Sequence, residues 1–234
     1  MSQVVFLPGF DGEAQLRSEF TRALARDHEL RAVTYPARAL GTLDAYREFA
    51  MAQAPVDWNP VLVAESFSGL VAARWASVDP RVRALVLCAA FARNPVGPAA
   101  LLGAYLPEIT RLGPAFMGPF AHISGDPRRA KWAAGLARVM GRMNPSVVAE
   151  RLRIIATDDV SPVLASLAIP IVVVQFEGDV VVGRHARAHL ESVCENVHVL
   201  NLPGPHFALA TRPAETAAAI TARLGSLFPA ASDA

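Results

Sequence analysis

The sequence carries almost no net charge and contains no long apolar run. Its 22 basic and 21 acidic residues leave a formal charge of +1, which creates no field able to concentrate nucleic acid. No stretch reaches the ~18 consecutive apolar residues of a membrane span, and no basic segment or cleavage site marks the N-terminus. We therefore expect a cytoplasmic protein that neither binds nucleic acid nor spans a membrane.

Cysteine is also scarce, since Cys88 and Cys194 are the only two. Both lie among apolar residues, and their spacing fits neither a metal site nor a redox motif. We expect two buried free thiols.

Apolar residues, by contrast, make up 53% of the 234 positions, with a mean hydropathy of +0.30. This content is enough for one well-buried α/β domain. Short β-branched runs alternate with longer amphipathic stretches, an order typical of βαβ units around a parallel sheet. Six strands are predicted, at residues 4–7, 30–35, 61–65, 84–88, 171–175 and 197–202. Five helices are predicted among them, at residues 13–26, 43–53, 68–78, 184–193 and 213–228.

The alternation stops between residues 91 and 169, where prolines are frequent and no strand is evident. Helical spacing, including a helix at residues 145–156, predicts an inserted helical cap over 92–168, between core segments 1–91 and 169–234. The cap holds nine basic and five acidic residues, so the cap is basic and the remainder of the chain mildly acidic. Its basic residues include Arg128, Arg129, Arg138 and Arg151.

A candidate nucleophile follows the third predicted strand. Ser66 lies in the run Ala-Glu-Ser-Phe-Ser, where an apolar strand passes through a tight turn of small residues into a helix. Such a turn, the nucleophile elbow, exposes a hydroxyl at a helix N-terminus. Ala64 and Ser68 stand where the usual pattern has glycine, and a serine that only caps the helix is the alternative interpretation.

A glycine-containing loop follows the first strand, in the run Leu-Pro-Gly-Phe-Asp-Gly. This position requires a backbone N–H that points at the reacting carbonyl, and the Phe10 amide is the candidate donor. The amide of Phe67, next after Ser66, would complete an oxyanion hole. An ordinary glycine turn between strand and helix is the alternative.

A candidate acid follows the fifth strand, at the edge of the sheet where catalytic groups gather. Asp179 is preferred to Glu177 because it lies deeper in the loop, after Gly178. Asp158 and Asp159 are the fallback pair, although their place at a helix end favours solvated capping.

A candidate base lies in a proline- and glycine-rich loop after the sixth strand. His206 is held there in the run Pro-Gly-Pro-His-Phe, before the last predicted helix. A histidine in the cap, His122, is expected either to contact substrate or, more often for such a residue, to pack. The other four are predicted on the surface: His28, His185, His189 and His198.

The order serine, acid, histidine is that of α/β-hydrolases and differs from the orders of chymotrypsin and subtilisin. With these four motifs, the sequence resembles the α/β-hydrolase superfamily, specifically small esterases with a helical cap. The resemblance implies a mainly parallel six-stranded sheet flanked by helices. Two departures are the absence of the two antiparallel strands that usually open the fold and of both elbow glycines.

The resemblance further implies a serine hydrolase that forms an acyl-enzyme and needs no metal or cofactor. Some of its members remove a methyl ester from pimeloyl-acyl carrier protein in biotin synthesis, and the basic residues Arg128, Arg129 and Arg138 would suit such an acidic carrier. Acyl transfer, perhydrolysis, thioester or C–C bond hydrolysis, and non-catalytic ligand binding are alternatives. One set of residues is expected to line the acyl site, or else only to pack the cap against the core. These residues are Leu101, Tyr105, Leu106, Phe116, Met117, Phe120 and His122.

Overall fold

The computed structural model describes residues 1–95 and 141–229 of the chain. One sheet of six parallel strands lies at its centre. The strands are β1 (Gln3–Leu7), β2 (Glu29–Ala32), β3 (Val61–Glu65), β4 (Ala84–Cys88), β5 (Ile171–Phe176) and β6 (Val197–Leu202). Their order across the sheet is β2-β1-β3-β4-β5-β6. All six predicted strands are confirmed.

Eight α-helices and one 3-10 turn belong to the described residues. The predicted helix at 13–26 is divided into a 3-10 turn (Ala14–Arg17) and a shorter helix. Two short helices, at Ser161–Ser166 and Ala208–Thr211, were not predicted, since four to six residues are too few to show helical periodicity. The helices are α1 (Ser18–Leu24), α2 (Leu43–Met51), α3 (Ser68–Ala76), α4 (Pro145–Thr157), α5 (Ser161–Ser166), α6 (Arg184–Val193), α7 (Ala208–Thr211) and α8 (Pro213–Leu227).

The sheet is covered on both faces. Alternate residues of the central strands enter two separate apolar clusters, with Val5 and Leu62 on one face and Val4 and Val63 on the other. The first cluster includes residues of α2 to α6, and the second includes residues of α1 and α8. Burial on both faces explains the uninterrupted apolar runs of the sequence. Because all strands are parallel, the loops that follow them meet at one edge of the sheet.

The cap prediction is only partly covered by the described residues. The helix predicted at 145–156 is present as α4, but most of the interval 92–168 lies outside the described ranges, and its division from the core stays a prediction. Cys88 and Cys194 are free and buried, as expected. Within residues 1–95 and 141–229, no helix is both long and apolar enough to cross a membrane.

Candidate active site

Ser66 has a strained backbone at the turn between β3 and α3. Its φ is +51°, in the left-handed region that non-glycine residues seldom adopt, and its N–H donates to Cys88 O at 2.9 Å. The close approach of α3 to the sheet depends on Gly69, where a Cβ would lie 2.7 Å from the Cβ of Ala90. Ser66 therefore has the elbow geometry although both usual glycines are missing.

His206 meets Ser66 from the loop after β6. Its Nε2 lies 3.1 Å from Ser66 Oγ, and both side chains are buried. The loop is held against the loop after β5 by the N–H of Gly178, which donates to Gly204 O at 2.9 Å. A Cβ on Gly178 would lie 2.8 Å from that carbonyl oxygen, so a glycine is required where the two loops touch.

Asp179 completes the relay on the far side of the imidazole. Its Oδ2 lies 2.9 Å from His206 Nδ1, while Oδ1 accepts from the backbone N–H groups of Val181 and Val182 at 2.8 and 3.0 Å. The carboxylate is thus fixed by two backbone N–H groups of its own loop and by the histidine. Glu177, the alternative acid, is exposed and turned toward solvent.

The fallback carboxylates lie outside this cluster. Asp158 is half-buried and accepts from Thr157 Oγ1 at 3.4 Å, and the exposed Asp159 accepts from the Ser161 N–H at 2.8 Å, at the start of α5. The structure therefore brings together Ser66, His206 and Asp179, the three residues favoured from the sequence. When His206 Nδ1–H donates a hydrogen bond to Asp179, Nε2 presents a lone pair to the Ser66 hydroxyl, and this arrangement can activate the oxygen as a nucleophile.

The two predicted oxyanion donors follow neighbouring strands. Phe10 comes three residues after β1 and Phe67 two residues after β3, and these strands pair directly, with Leu7 opposite Ala64. Among the described residues, neither the Phe10 nor the Phe67 amide donates to another group. Both amides are therefore left available at the edge of the sheet that carries Ser66.

The family model described as "Alpha/beta hydrolase family" matches residues 4–219. The chain belongs to the alpha/beta hydrolase family. Solved structures with this fold include an enol-lactonase from Burkholderia xenovorans LB400, a bromoperoxidase from Bacillus anthracis and an esterase from Exiguobacterium antarcticum. Their TM-scores are 0.72, 0.69 and 0.74, and their identities to this chain are 14%, 19% and 11%. The matches cover 95%, 95% and 96% of this chain and 91%, 91% and 92% of theirs.

Identities this low establish the alpha/beta hydrolase fold and do not assign a substrate. No curated protein matches the sequence. The six parallel strands agree with the expectation that the two antiparallel opening strands are absent, as far as the described residues extend. What distinguishes this member of the alpha/beta hydrolase family has to be sought in its own side chains.

One such feature is a buried charged cluster beneath residues 8–12, the loop after β1, called here the Phe10 loop. The sequence did not predict this cluster. The carboxylate of Glu65 accepts from Arg17 Nε at 3.2 and 2.8 Å and from the Gly9 N–H at 3.1 Å. Arg17 Nη2 also donates to Asp11 Oδ2 at 2.8 Å. Burial raises the pKa of the Glu65 carboxyl, and the charge of Arg17 opposes that rise.

A second buried cation lies on the other side of the same loop. Arg151, one of the basic residues counted in the predicted cap, is only 1% exposed. Its Nη1 donates to Phe10 O and its Nε to the Tyr46 hydroxyl at 3.1 Å. Its guanidinium lies 5.3, 5.2 and 5.8 Å from the ring centroids of Tyr35, Tyr46 and Phe67. These aromatic faces and the carbonyl compensate for the hydration that the guanidinium loses on burial.

Tyr46 connects this cation to its neighbouring carboxylate. Burial raises the pKa of Tyr46 to about 12, so its hydroxyl remains protonated and donates to Glu150 Oε1 at 2.9 Å. Glu150 also accepts from the backbone N–H groups of Leu40 and Gly41. Each polar group that surrounds Arg151 thus has a partner of its own.

Ten of the predicted site residues lie outside the described ranges. The expected acyl-site and carrier-docking residues all lie outside the described ranges. Within the described part of the chain, no three His, Cys, Asp or Glu side chains are grouped so that they could hold a metal ion. The unplaced residues are Leu101, Tyr105, Leu106, Phe116, Met117, Phe120, His122, Arg128, Arg129 and Arg138.

Proposed function

We propose that the protein is a serine carboxylesterase that hydrolyses acyl esters through an acyl-enzyme. The observation that carries the proposal is the relay from Ser66 Oγ to His206 Nε2 at 3.1 Å and from His206 Nδ1 to Asp179 Oδ2 at 2.9 Å. All three side chains are buried, where such hydrogen bonds are stronger than in water. The left-handed backbone of Ser66 supports the same assignment.

In the proposed reaction, Ser66 Oγ attacks the acyl carbon while its proton passes to His206 Nε2. The oxyanion forms opposite the Phe10 and Phe67 amides, each of which is worth roughly 3 kcal/mol of transition-state stabilisation as a donor. The C–O bond to the leaving group then breaks, and the alcohol departs with the proton from Nε2. Water adds to the acyl-enzyme by the reverse proton transfers and releases the carboxylic acid. Asp179 remains ionised throughout and stabilises the imidazolium.

The test is turnover of p-nitrophenyl esters from acetate to decanoate by the wild type, Ser66→Ala and Ser68→Ala. Loss of activity in Ser66→Ala alone is the expected outcome. Ser68 is the matched control because it is a buried serine two positions away, with its hydroxyl bonded elsewhere. An inactive Ser68→Ala beside an active Ser66→Ala would contradict the assignment of the nucleophile.

An activity-independent assay covers the case of an unusual substrate. A fluorophosphonate should label the wild type at Ser66, located by peptide mass spectrometry, and should not label Ser66→Ala or His206→Ala. Failure to label the wild type would favour a ligand-binding protein. Labelling without ester turnover would direct the search to the alternative acyl donors, namely thioesters, C–C bonded diketones, and esters whose acyl group passes to an alcohol or to peroxide.

A carrier-linked methyl ester, such as that of pimeloyl-acyl carrier protein, is the more specific substrate proposal. It depends on the charges of Arg128, Arg129 and Arg138, which would attract an acidic carrier. Reversal of all three charges should raise KM for a carrier-bound ester and leave KM for a p-nitrophenyl ester unchanged. An unchanged KM for both would overturn the carrier proposal without affecting the esterase.

A further inference from the structure

The two glycines of the Phe10 loop each face a buried charged side chain. A Cβ on Gly9 would lie 3.1 Å from Oε2 and 3.3 Å from Cδ of Glu65. A Cβ on Gly12, whose φ is +78°, would lie 2.7 and 2.8 Å from the two terminal nitrogens of Arg151. Glycine at both positions therefore lets a carboxylate approach one end of the loop and a guanidinium approach the other.

At Gly9, the contact is made by Glu65, which accepts from the Gly9 N–H. Gly9 directly precedes Phe10, the proposed oxyanion donor. Glu65 is 1% exposed, and among the described residues its two oxygens accept from the N–H groups of Arg17 and Gly9. It directly precedes Ser66 in the chain. The Gly9 N–H bond therefore joins the oxyanion loop to the strand end that holds the nucleophile.

Near Gly12, the contact is made by Arg151 to the carbonyl group of Phe10 itself. Arg151 Nη1 donates to Phe10 O, and the same guanidinium is held by the Tyr46 hydroxyl and by the aromatic rings around it. The Gly12 N–H closes the turn by donating to Gly9 O at 3.0 Å. With Gly9 N and Phe10 O both fixed, the peptide between them, which bears the Phe10 N–H, has little freedom to rotate.

We propose that Glu65 and Arg151 are positioning residues that hold the Phe10 amide in the direction needed for the oxyanion. The inference rests on the proposed function, because it assigns a task to residues around the same serine. Neither side chain touches the substrate; each acts through the backbone of the loop. Preorganised donors cost no reorientation at the moment of reaction, and this is the source of their effect on rate.

The experiment compares Glu65→Gln and Arg151→Met with Asp79→Asn. A glutamine at position 65 can accept with its single oxygen. At the position of the second carboxylate oxygen it places an NH₂ group, which faces a donor N–H and cannot accept from it. Asp79 is the matched control, since it is a carboxylate that is 5% exposed and bonded by Arg81, in the loop after α3 and away from the oxyanion loop. Active protein is counted by fluorophosphonate titration, so that partial unfolding does not enter kcat.

Both positioning variants should lower kcat for p-nitrophenyl acetate by about 10- to 100-fold with KM within about twofold, somewhat less than the loss of a whole oxyanion donor. Affinity for a trifluoromethyl ketone, which forms a tetrahedral adduct with the serine, should fall by the same factor. Arg151→Lys, which keeps a cation and a donor for Phe10 O, should recover part of kcat. Asp79→Asn should lower Tm and leave kcat and the ketone affinity unchanged.

The outcomes distinguish failure of the proposed esterase function from failure of the positioning role alone. A wild type that fluorophosphonate does not label at Ser66 overturns the proposed function and this inference with it. A labelled, active wild type whose Glu65→Gln and Arg151→Met variants keep kcat and ketone affinity per titrated site overturns the inference alone. In that case the two residues only stabilise the fold, and their variants differ from the wild type in Tm.

Discussion

The Tyr35 hydroxyl lies 2.8 Å from Oγ of Ser68, and Ser68 in turn donates to the carbonyl of Pro8. Burial raises the pKa of Tyr35, so its hydroxyl stays protonated and can donate to Ser68. The pair joins three segments, namely the residues after β2, the loop that carries Phe10 and the first turn of α3. A serine at position 68, where the family pattern usually has glycine, thus has a structural task of its own.

Ser68→Ala should destabilise the protein and keep the nucleophile. The substitution leaves Tyr35 Oη and Pro8 O without their buried partner, which costs about 1–3 kcal/mol. The free energy of unfolding is measured with urea, and fluorophosphonate should still label Ser66. Ser77→Ala, which removes an exposed hydroxyl bonded to Arg74 O, is the control and should be neutral. Equal stability of the two variants would contradict the role given to Ser68.

Gly12→Ala should cost more stability than Gly41→Ala. Both glycines have positive φ, +78° and +98°, and alanine there costs about 1–2 kcal/mol. Only Gly12 faces an obstacle, because its Cβ would lie 2.7 Å from Arg151, whereas nothing lies within 4 Å of a Cβ at Gly41. Urea unfolding of the two variants isolates the steric part. Similar losses would show that the guanidinium can move aside at little cost.

Gly69→Ala should be destabilising although alanine is the better helix former. Its Cβ would lie 2.7 Å from the Cβ of Ala90, which would push α3 away from the sheet. Ala90→Gly in the same chain removes the opposing methyl group and should restore much of the loss. The check is a double-mutant cycle of unfolding free energies, in which the coupling should be favourable. If the changes in unfolding free energy are additive, the loss does not come from the contact with Ala90 but from another effect on α3.

His28 should make the protein less stable in mild acid. It is 6% exposed, with Nε2 3.0 Å from Thr221 Oγ1, and burial lowers its pKa below the ordinary value of about 6.5. The unfolded chain therefore binds a proton first as the pH falls, so stability is full above about 6.5 and declines toward the lower folded pKa. His28→Gln should flatten this decline between pH 7 and 5 in urea titrations. A decline of equal slope in the variant would exclude His28 as its source.

The strands and the cluster of Ser66, His206 and Asp179 were predictable because their signals are local. An apolar run such as 61–65 is buried on both faces, and the three candidate residues each follow a strand whose end is fixed by that run. The choice of Asp179 over Glu177 agrees with the observed bond to His206. The acyl-site residues lie outside the described ranges, so those assignments stay predictions.

The buried charges were not predictable, because their partners are distant in sequence. Nothing in the spacing connects Glu65 to Arg17, 48 positions away, or Arg151 to Phe10, 141 positions away. The one local signal is a carboxylate at the end of an apolar strand, which requires a buried cation but does not say which. His28 was predicted on the surface and is buried, since its neighbour Thr221 comes from the far end of the chain.

The 140 positions between Ser66 and His206 also set the order in which the chain becomes competent during its synthesis. At ribosomal rates of roughly 5–20 residues per second, the serine is made about 7–30 s before its histidine. During that interval the nascent chain holds a hydroxyl without its histidine, and until α4 is made the loop around Phe10 also lacks the guanidinium of Arg151. A chain cut short before residue 206 would therefore carry the serine as an ordinary alcohol.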